Sequence, residues 1–332
     1  MKPNAVGALC GALALALGLG GCAAPPGSRA AAAQAHGKRR HVVQATPKAG
    51  RHEVAALSLP RHIYYQHQVI ILMYHGLGPR AHGDIITPAA FGGEMQSLRS
   101  AGFTFVTLSQ IAAFLQGGSL PPNAVAVTFD DGLQSVYTYA FPILEQDHIP
   151  FATFLIAGRV NNVTGDLSWA QVKAMVRSRL LTVGSHTFSS HGSVASGPHT
   201  TGAALTTHIY DLATGQTETN AQYTARVEGD LVRARKILQL ETGQPVTWFA
   251  YPFGAYDPAV EQMLMQAGYQ YAVSTIGWGA TAYAQPLVLP RENAGTPKTS
   301  PGTIVNMVLY VAHLTHNDPK WQPPAQVVPV WN

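Results

Sequence analysis

The chain has 332 residues, of which 46% are apolar and only 11% charged, a balance that excludes an intrinsically disordered protein and suits a packed globular body. Its formal charge of +4 is unevenly placed: residues 23–67 hold Arg29, Lys38, Arg39, Arg40, Lys48, Arg51 and Arg61 against Glu53 alone. The body beyond them is therefore slightly acidic, which excludes the basic face that nucleic-acid binding needs.

In chain order, Lys2 precedes an Ala/Leu-rich run that ends at Cys22, the pattern of a secretory signal. The run is too short and too rich in small residues for a permanent membrane span. Leu19-Gly20-Gly21-Cys22 resembles a bacterial lipobox, in which Cys22 becomes the acylated first residue of the mature chain. A signal is thus expected over 1–21, and the Ala/Pro/Gly/His-rich stretch 22–67 reads as a flexible basic tether able to lie on anionic lipid or wall polymer. Cys10, the other cysteine, would leave with the signal. The mature chain then has no disulfide, no cysteine-based zinc site and no thiol nucleophile.

From residue 68 onward short apolar runs alternate with longer amphipathic ones. Val69–Met73 is a continuous buried-strand run, followed by Phe91, Met95, Leu98 and Ala101 at helical spacing with Gly102 as a stop. The strand FTFVTL, the helix SQIAAFLQGG, the strand VAVTF, a helix through YAFPILEQDH and the strand FATFLIAG continue the pattern. SWAQVKAMVRSRL predicts a helix, TVGS a strand end, RVEGDLVRARKILQLETG a helix closing at Gly243, VTWFAYP a strand, AVEQMLMQAG a helix and YAVST a strand. Strands separated by helices predict βα units around a parallel sheet, in one domain over 68–310. Residues 192–224 read as a polar insertion, a functional lid or rim, and the Pro-rich 311–332 as a C-terminal tail.

Four predicted strands end on polar or turn residues. VIILM runs into Tyr74-His75, VAVTF into Asp130-Asp131, TVGS into His186, and TWFAYP into Pro252-Phe253. In a βα barrel the carboxyl ends of the strands share one face, so residues far apart in sequence converge there. His186 and His191 are five apart, about 140° on a helix, and so meet only from a strand end and the loop after it. Asp131 with these two histidines offers three ligands and open positions, the donor set of a catalytic metal site.

TFDDG, SHTFSSH and FAYPFGAY, taken in order, resemble the successive motifs of the polysaccharide deacetylase family (the NodB-homology domain, carbohydrate esterase family 4), over residues 68–295. The resemblance implies an α/β fold, a distorted (β/α) barrel, and a divalent metal, most often zinc. Position by position it makes Asp131, His186 and His191 the ligands and Asp130 the general base. Two departures stand out: the histidines are five apart where many members have four, and Ala250 stands where those members carry an arginine near the base. Both features resemble the branch that deacetylates poly-β-1,6-N-acetylglucosamine during exopolysaccharide export. That branch also has a long segment after the second histidine and outer-membrane lipoproteins among its members, in keeping with Cys22. The implied setting is the cell envelope, at the periplasmic face of the outer membrane, with export machinery as a partner.

The chemistry implied is metal-assisted hydrolysis of an N-acetyl group on a glucosamine polymer. Asp130 takes the proton of water, and the oxyanion rests on the metal and the Phe253 N–H. His75 is the expected general acid, with His313 in LYVAHLTH as the other candidate. Tyr251, Tyr256 and Trp278 are candidates for lining a sugar groove. Peptidoglycan, chitin-type or O-acetyl substrates stand as alternatives, as does a non-catalytic carbohydrate-binding lipoprotein on the same scaffold.

Overall fold

The computed structural model describes residues 62–331. The expected signal, Cys22 and the tether up to residue 61 lie outside the described residues. Among the described residues, no helix is long and apolar enough to cross a membrane.

The frame is one sheet of nine strands. Its path uses β1 (Gln68–Tyr74), β3 (Ala124–Phe129), β4 (Phe151–Leu155), β5 (Leu181–Ser185), β8 (Trp248–Ala250), β9 (Tyr271–Val273) and β10 (Ala280–Thr281). They lie in the order β9-β8-β5-β4-β3-β1-β10, with β2 (Thr104–Phe105) beside β3 and β11 (Glu292–Asn293) beside β1. Every neighbouring pair is parallel except β1–β10. The sheet curls into an incomplete barrel, as the family resemblance implied, and its parallel strands are those the alternating pattern predicts. β1, β3 and β4 are buried along their whole length, which is why they read as continuous apolar runs rather than alternating ones.

The helices between strands start where the sequence places caps. Thr87 caps α1 (Pro88–Ser100), Thr107 caps α2 (Leu108–Leu115) and Ser168 caps α4 (Trp169–Arg177). The last two form reciprocal boxes with Gln110 and Gln171. α3 is Phe141–Gln146. Gly243, at φ +69°, ends α5 (Asn220–Thr242), which starts earlier than its apolar period suggested because Thr219 and Gln222 cap it. α6 spans Pro258–Ala267.

Two segments differ from expectation. The stretch after residue 191 is folded: β6 (Ser193–Ala195) pairs antiparallel with β7 (Thr201–Ala203). At the other end α7 (Ile304–Asn317) runs through the expected boundary at 310, burying Ile304, Val308 and Val311. The residues after it return across the body. Val327 pairs with Tyr256, and β12 (Val330–Trp331) pairs with β7. Apolar spacing in IVNMVLYVAH carries the helix on, and the Pro-rich composition of the end concealed the pairing.

One ionisable residue is buried on α1. Glu94 on α1 is fully buried; its Oε2 accepts a hydrogen bond from the Tyr74 hydroxyl at 2.9 Å while its Oε1 has no partner. Burial pushes its carboxyl up to about 7, the Tyr74 bond only partly offsetting it. Because the folded value is raised, the fold favours the protonated acid. Stability is full below the ordinary glutamate value and is lost as pH rises from there to about 7. Glu94→Gln should therefore match the wild type in urea midpoint near pH 4 and exceed it at pH 8 by an amount on the order of 3 kcal/mol. Parallel midpoints at all pH values would refute the ionisation.

Candidate metal centre

The parallel register brings the strand ends together. Asp130 follows β3, His75 follows β1, His186 follows β5 and Tyr251 follows β8. With Asp131, His191 and Phe253 they line one cavity of about 360 Å³ at the carboxyl edge of the sheet, where βα barrels place chemistry.

Asp131, His186 and His191 offer ligand atoms that lie within 4.8 Å of one another. Nε2 of His191 is 3.2 Å and Nε2 of His186 3.6 Å from Asp131 Oδ1, an oxygen that is buried without an aligned donor. His186 donates its Nδ1–H to the Ala250 carbonyl at 2.7 Å, which leaves Nε2 bare toward the cavity. Burial lowers His186 to about 4, against the raising pull of Asp130, so the ring is neutral at pH 7 and its lone pair is available. Burial would raise Asp131, but the close approach of the His191 and His186 rings outweighs it and holds the carboxyl well below its usual range. One carboxylate oxygen without an aligned donor, the bare Nε2 of His186 and the Nε2 of His191 beside it fit a divalent metal.

Asp130 points elsewhere. It is 2% exposed and makes a two-pronged pair with Arg291, Nη1–Oδ1 at 2.7 Å and Nη2–Oδ2 at 2.6 Å. Arg291 is fully buried and also donates through Nε to the Ser274 carbonyl and through Nη1 to Thr128 Oγ1. Burial alone would raise Asp130; the charge and hydrogen bonds of Arg291 outweigh it and lower the carboxyl. The arginine missing at Ala250 is thus supplied from the Pro290-Arg291-Glu292 stretch, just before β11. Sequence reading missed it because it lies on no apolar strand run, though a lone arginine in LVLPREN was a visible signal.

The remaining expected residues divide. His75 lines the cavity and its Nδ1 is buried without a partner. His313 does not reach the site: it is exposed on α7, with Nε2 beside Asn317. Phe253, held at φ +58° in the turn Pro252–Gly254, is 47% exposed with its ring 5.0 Å from that of His191. Tyr251 touches the cavity but is fully buried, its hydroxyl donating to the Leu287 carbonyl. Tyr256 is buried, with its hydroxyl donating to the Pro324 carbonyl. Trp278 is a correction: it stacks on Trp321 at 4.9 Å and lines a separate small cavity with Pro319 and Pro323. Trp331 packs beside the cavity's Phe253, their rings 5.4 Å apart. None of residues 192–219 lines the cavity; they pack on α5, where Arg226 binds the Ala204 and Thr207 carbonyls.

Residues 117–272 match the model of the polysaccharide deacetylase family. A poly-beta-1,6-N-acetyl-D-glucosamine N-deacetylase of Escherichia coli K12 is 31% identical over 190 residues, covering 52% of this chain and 28% of the relative. The enzyme of that name from Staphylococcus epidermidis is 31% identical over 110 residues, covering 32% of this chain and 38% of its own. The chain therefore spans well under half the length of either relative. Among solved structures, IcaB from Ammonifex degensii superposes with a TM-score of 0.58 at 28% identity over 74% of this chain and 97% of its own. A de-N-acetylase from Aggregatibacter actinomycetemcomitans reaches a TM-score of 0.65 at 20% identity over 72% and 99%, a likeness of fold.

Removing Arg291 would leave a buried carboxylate unpaired. Arg291→Met should cost about 3–5 kcal/mol, and adding Asp130→Asn should restore most of it, as read by denaturant midpoints. Equal stability of the single variant and the wild type would show the pair to be dispensable.

Proposed function

We propose that this chain, which matches the polysaccharide deacetylase model over residues 117–272, is a metal-dependent de-N-acetylase acting on poly-β-1,6-N-acetylglucosamine. The observation that carries this reading is the Asp131–His186–His191 donor set sharing one cavity with Asp130 and His75. The names of the relatives supply the polymer. Export to the cell envelope, acylation at Cys22 and work beside export machinery belong to the same reading, and zinc is the metal it favours.

A divalent metal on this triad supplies Lewis acidity toward water and the acetyl carbonyl. The chain's own residues do the rest. Asp130, kept ionised by Arg291, accepts the proton of the attacking water. The backbone around Phe253, turned to positive φ, offers an N–H to the oxyanion. His75 donates a proton to the departing amine, from the same cavity and with a ring nitrogen unclaimed by the protein. Phe253 and Trp331 form an apolar wall for a sugar ring, the part that Trp278 does not play.

The roles separate by experiment. His186→Ala should lose metal and activity together. Asp130→Asn and His75→Asn should keep stoichiometric metal while kcat falls by roughly 10²–10⁴. Metal retained in a folded His186→Ala protein would sink the ligand assignment, and metal lost from His75→Asn would make His75 a ligand. The substrate is decided by acetate release from β-1,6- and β-1,4-linked N-acetylglucosamine polymers, with faster release expected from the β-1,6 polymer. A preference for β-1,4 links would move the protein to the chitin-type alternative.

A further inference from the structure

The two ligand histidines are joined by Thr187-Phe188-Ser189-Ser190, one residue more than an i, i+4 pair allows. Something must fix where that loop stands, because His191 follows it directly. Packing of the Phe188 ring does part of this but leaves room beside the loop: a cavity of about 320 Å³ is lined by Phe188, Ser189, Arg226, Asp230 and Arg233 among others. One carboxylate of α5 bonds the loop backbone directly. Asp230, 8% exposed on α5, accepts hydrogen bonds from the Phe188 N–H at 2.8 Å, the Ser189 N–H at 2.7 Å and the Ser189 hydroxyl at 3.0 Å.

The other side of the loop is held by backbone alone. Ala157 and Gly158, just past β4, donate their N–H groups to the Thr187 and Phe188 carbonyls, each at 2.9 Å. Gly158 has to be glycine, since a Cβ there would stand 2.5 Å from the Phe188 carbonyl oxygen. Thr187 itself sits at φ +75°, a region that β-branched residues avoid unless held there. Thus the loop is stretched between two sets of hydrogen bonds, and only Asp230 supplies those on the α5 side.

Arg226, Asp230 and Arg233 are spaced i, i+4, i+7, one face of the helix. Arg226 binds the insertion through the Ala204 and Thr207 carbonyls and pairs with Glu218. Arg233 lies over the Phe188 ring, 3.8 Å from its centroid. This polar stripe joins the insertion to the ligand loop.

We propose that Asp230 is a positioning residue for the metal centre, setting His191 relative to His186 and Asp131 through the 187–189 backbone. The proposal rests on the metal site above. Charged acceptors to backbone N–H are the stronger kind of hydrogen bond, and outer-shell partners of this sort commonly govern metal affinity by 10–100-fold.

The test measures metal affinity by chelator competition and the visible spectrum of the Co²⁺-loaded protein, for the wild type, Asp230→Asn and Asp230→Ala, alongside the Tm of each metal-free protein. We expect the Kd for Zn²⁺ to rise about 10–100-fold in Asp230→Ala, less in Asp230→Asn, with altered Co²⁺ bands in both. A merely structural role predicts a lower metal-free Tm with Kd and spectrum unchanged, and that result overturns the proposal. Loss of the fold in both variants would likewise assign Asp230 to holding the domain together and overturn it. If the wild type itself binds no metal, it is the reading of the site that fails, an outcome distinct from equal affinities in wild type and variant.

Discussion

An ionised carboxylate almost out of reach of water is the condition around which this site is built. In the proposed reaction Asp130 has to stay charged to accept a proton, yet it sits 2% exposed at the end of a fully buried strand. A carboxylate moved into such a place would take up a proton rather than remain charged. Arg291 reverses that by giving both oxygens a donor within 2.7 Å. The arginine in turn is acceptable in the interior only because Ser274 and Thr128 take its other N–H groups. The β1–β11 register, Leu72 opposite Glu292 and Met73 opposite Asn293, sets the chain just after Arg291 beside the strand that ends at His75. The short pairing that seemed peripheral to the sheet therefore holds the countercharge in place.

Much of this was legible in the residues. The parallel alternation and the Gly243 stop follow from apolar period and local backbone chemistry, which act over a few residues and are written in a few residues. The gathering of Asp130, Asp131, His186 and His75 followed from strand ends alone, because a parallel sheet sends all its carboxyl ends one way. What escaped depends on pairings distant in sequence. Arg291 meets Asp130 across 161 positions, and Trp331 reaches Phe253 only after residues 318–331 have crossed back over the body. A two-residue strand such as β11 or β12 has no period to read. Trp278 illustrates the same limit from the other side: composition marked it as a sugar-facing ring, and its partner turned out to be Trp321.

The departure in histidine spacing has a structural counterpart. A separation of five adds a residue to the loop between the ligands, and the surrounding chain is arranged to hold that longer loop. Gly158 lets the β4 side approach closely, Thr187 takes up a positive φ, and α5 presents Asp230 from the opposite side. The insertion after His191 fits the same logic. It does not overhang the cavity; it lies on α5, the helix that carries Asp230, and Arg226 fastens it there.

Four of the buried or nearly buried carboxylates among the described residues owe different characters to their neighbours alone. Asp130 faces a guanidinium and is held ionised. Asp131 faces two imidazoles, with one oxygen left for a metal. Glu94 faces only a phenol and is pushed toward the neutral acid. Asp230 faces backbone N–H groups and a hydroxyl, and holds a loop. Asp130 and Asp131 are adjacent in sequence yet differ most in use, because Asp131, at φ +70°, turns the chain out of the strand direction. One backbone rotation sends the second carboxylate to the histidines and leaves the first with the arginine. The pair of aspartates at the end of β3 thus stands in two separate environments, one suited to accepting a proton and one to holding a metal, rather than as two like charges sharing one site and one proton.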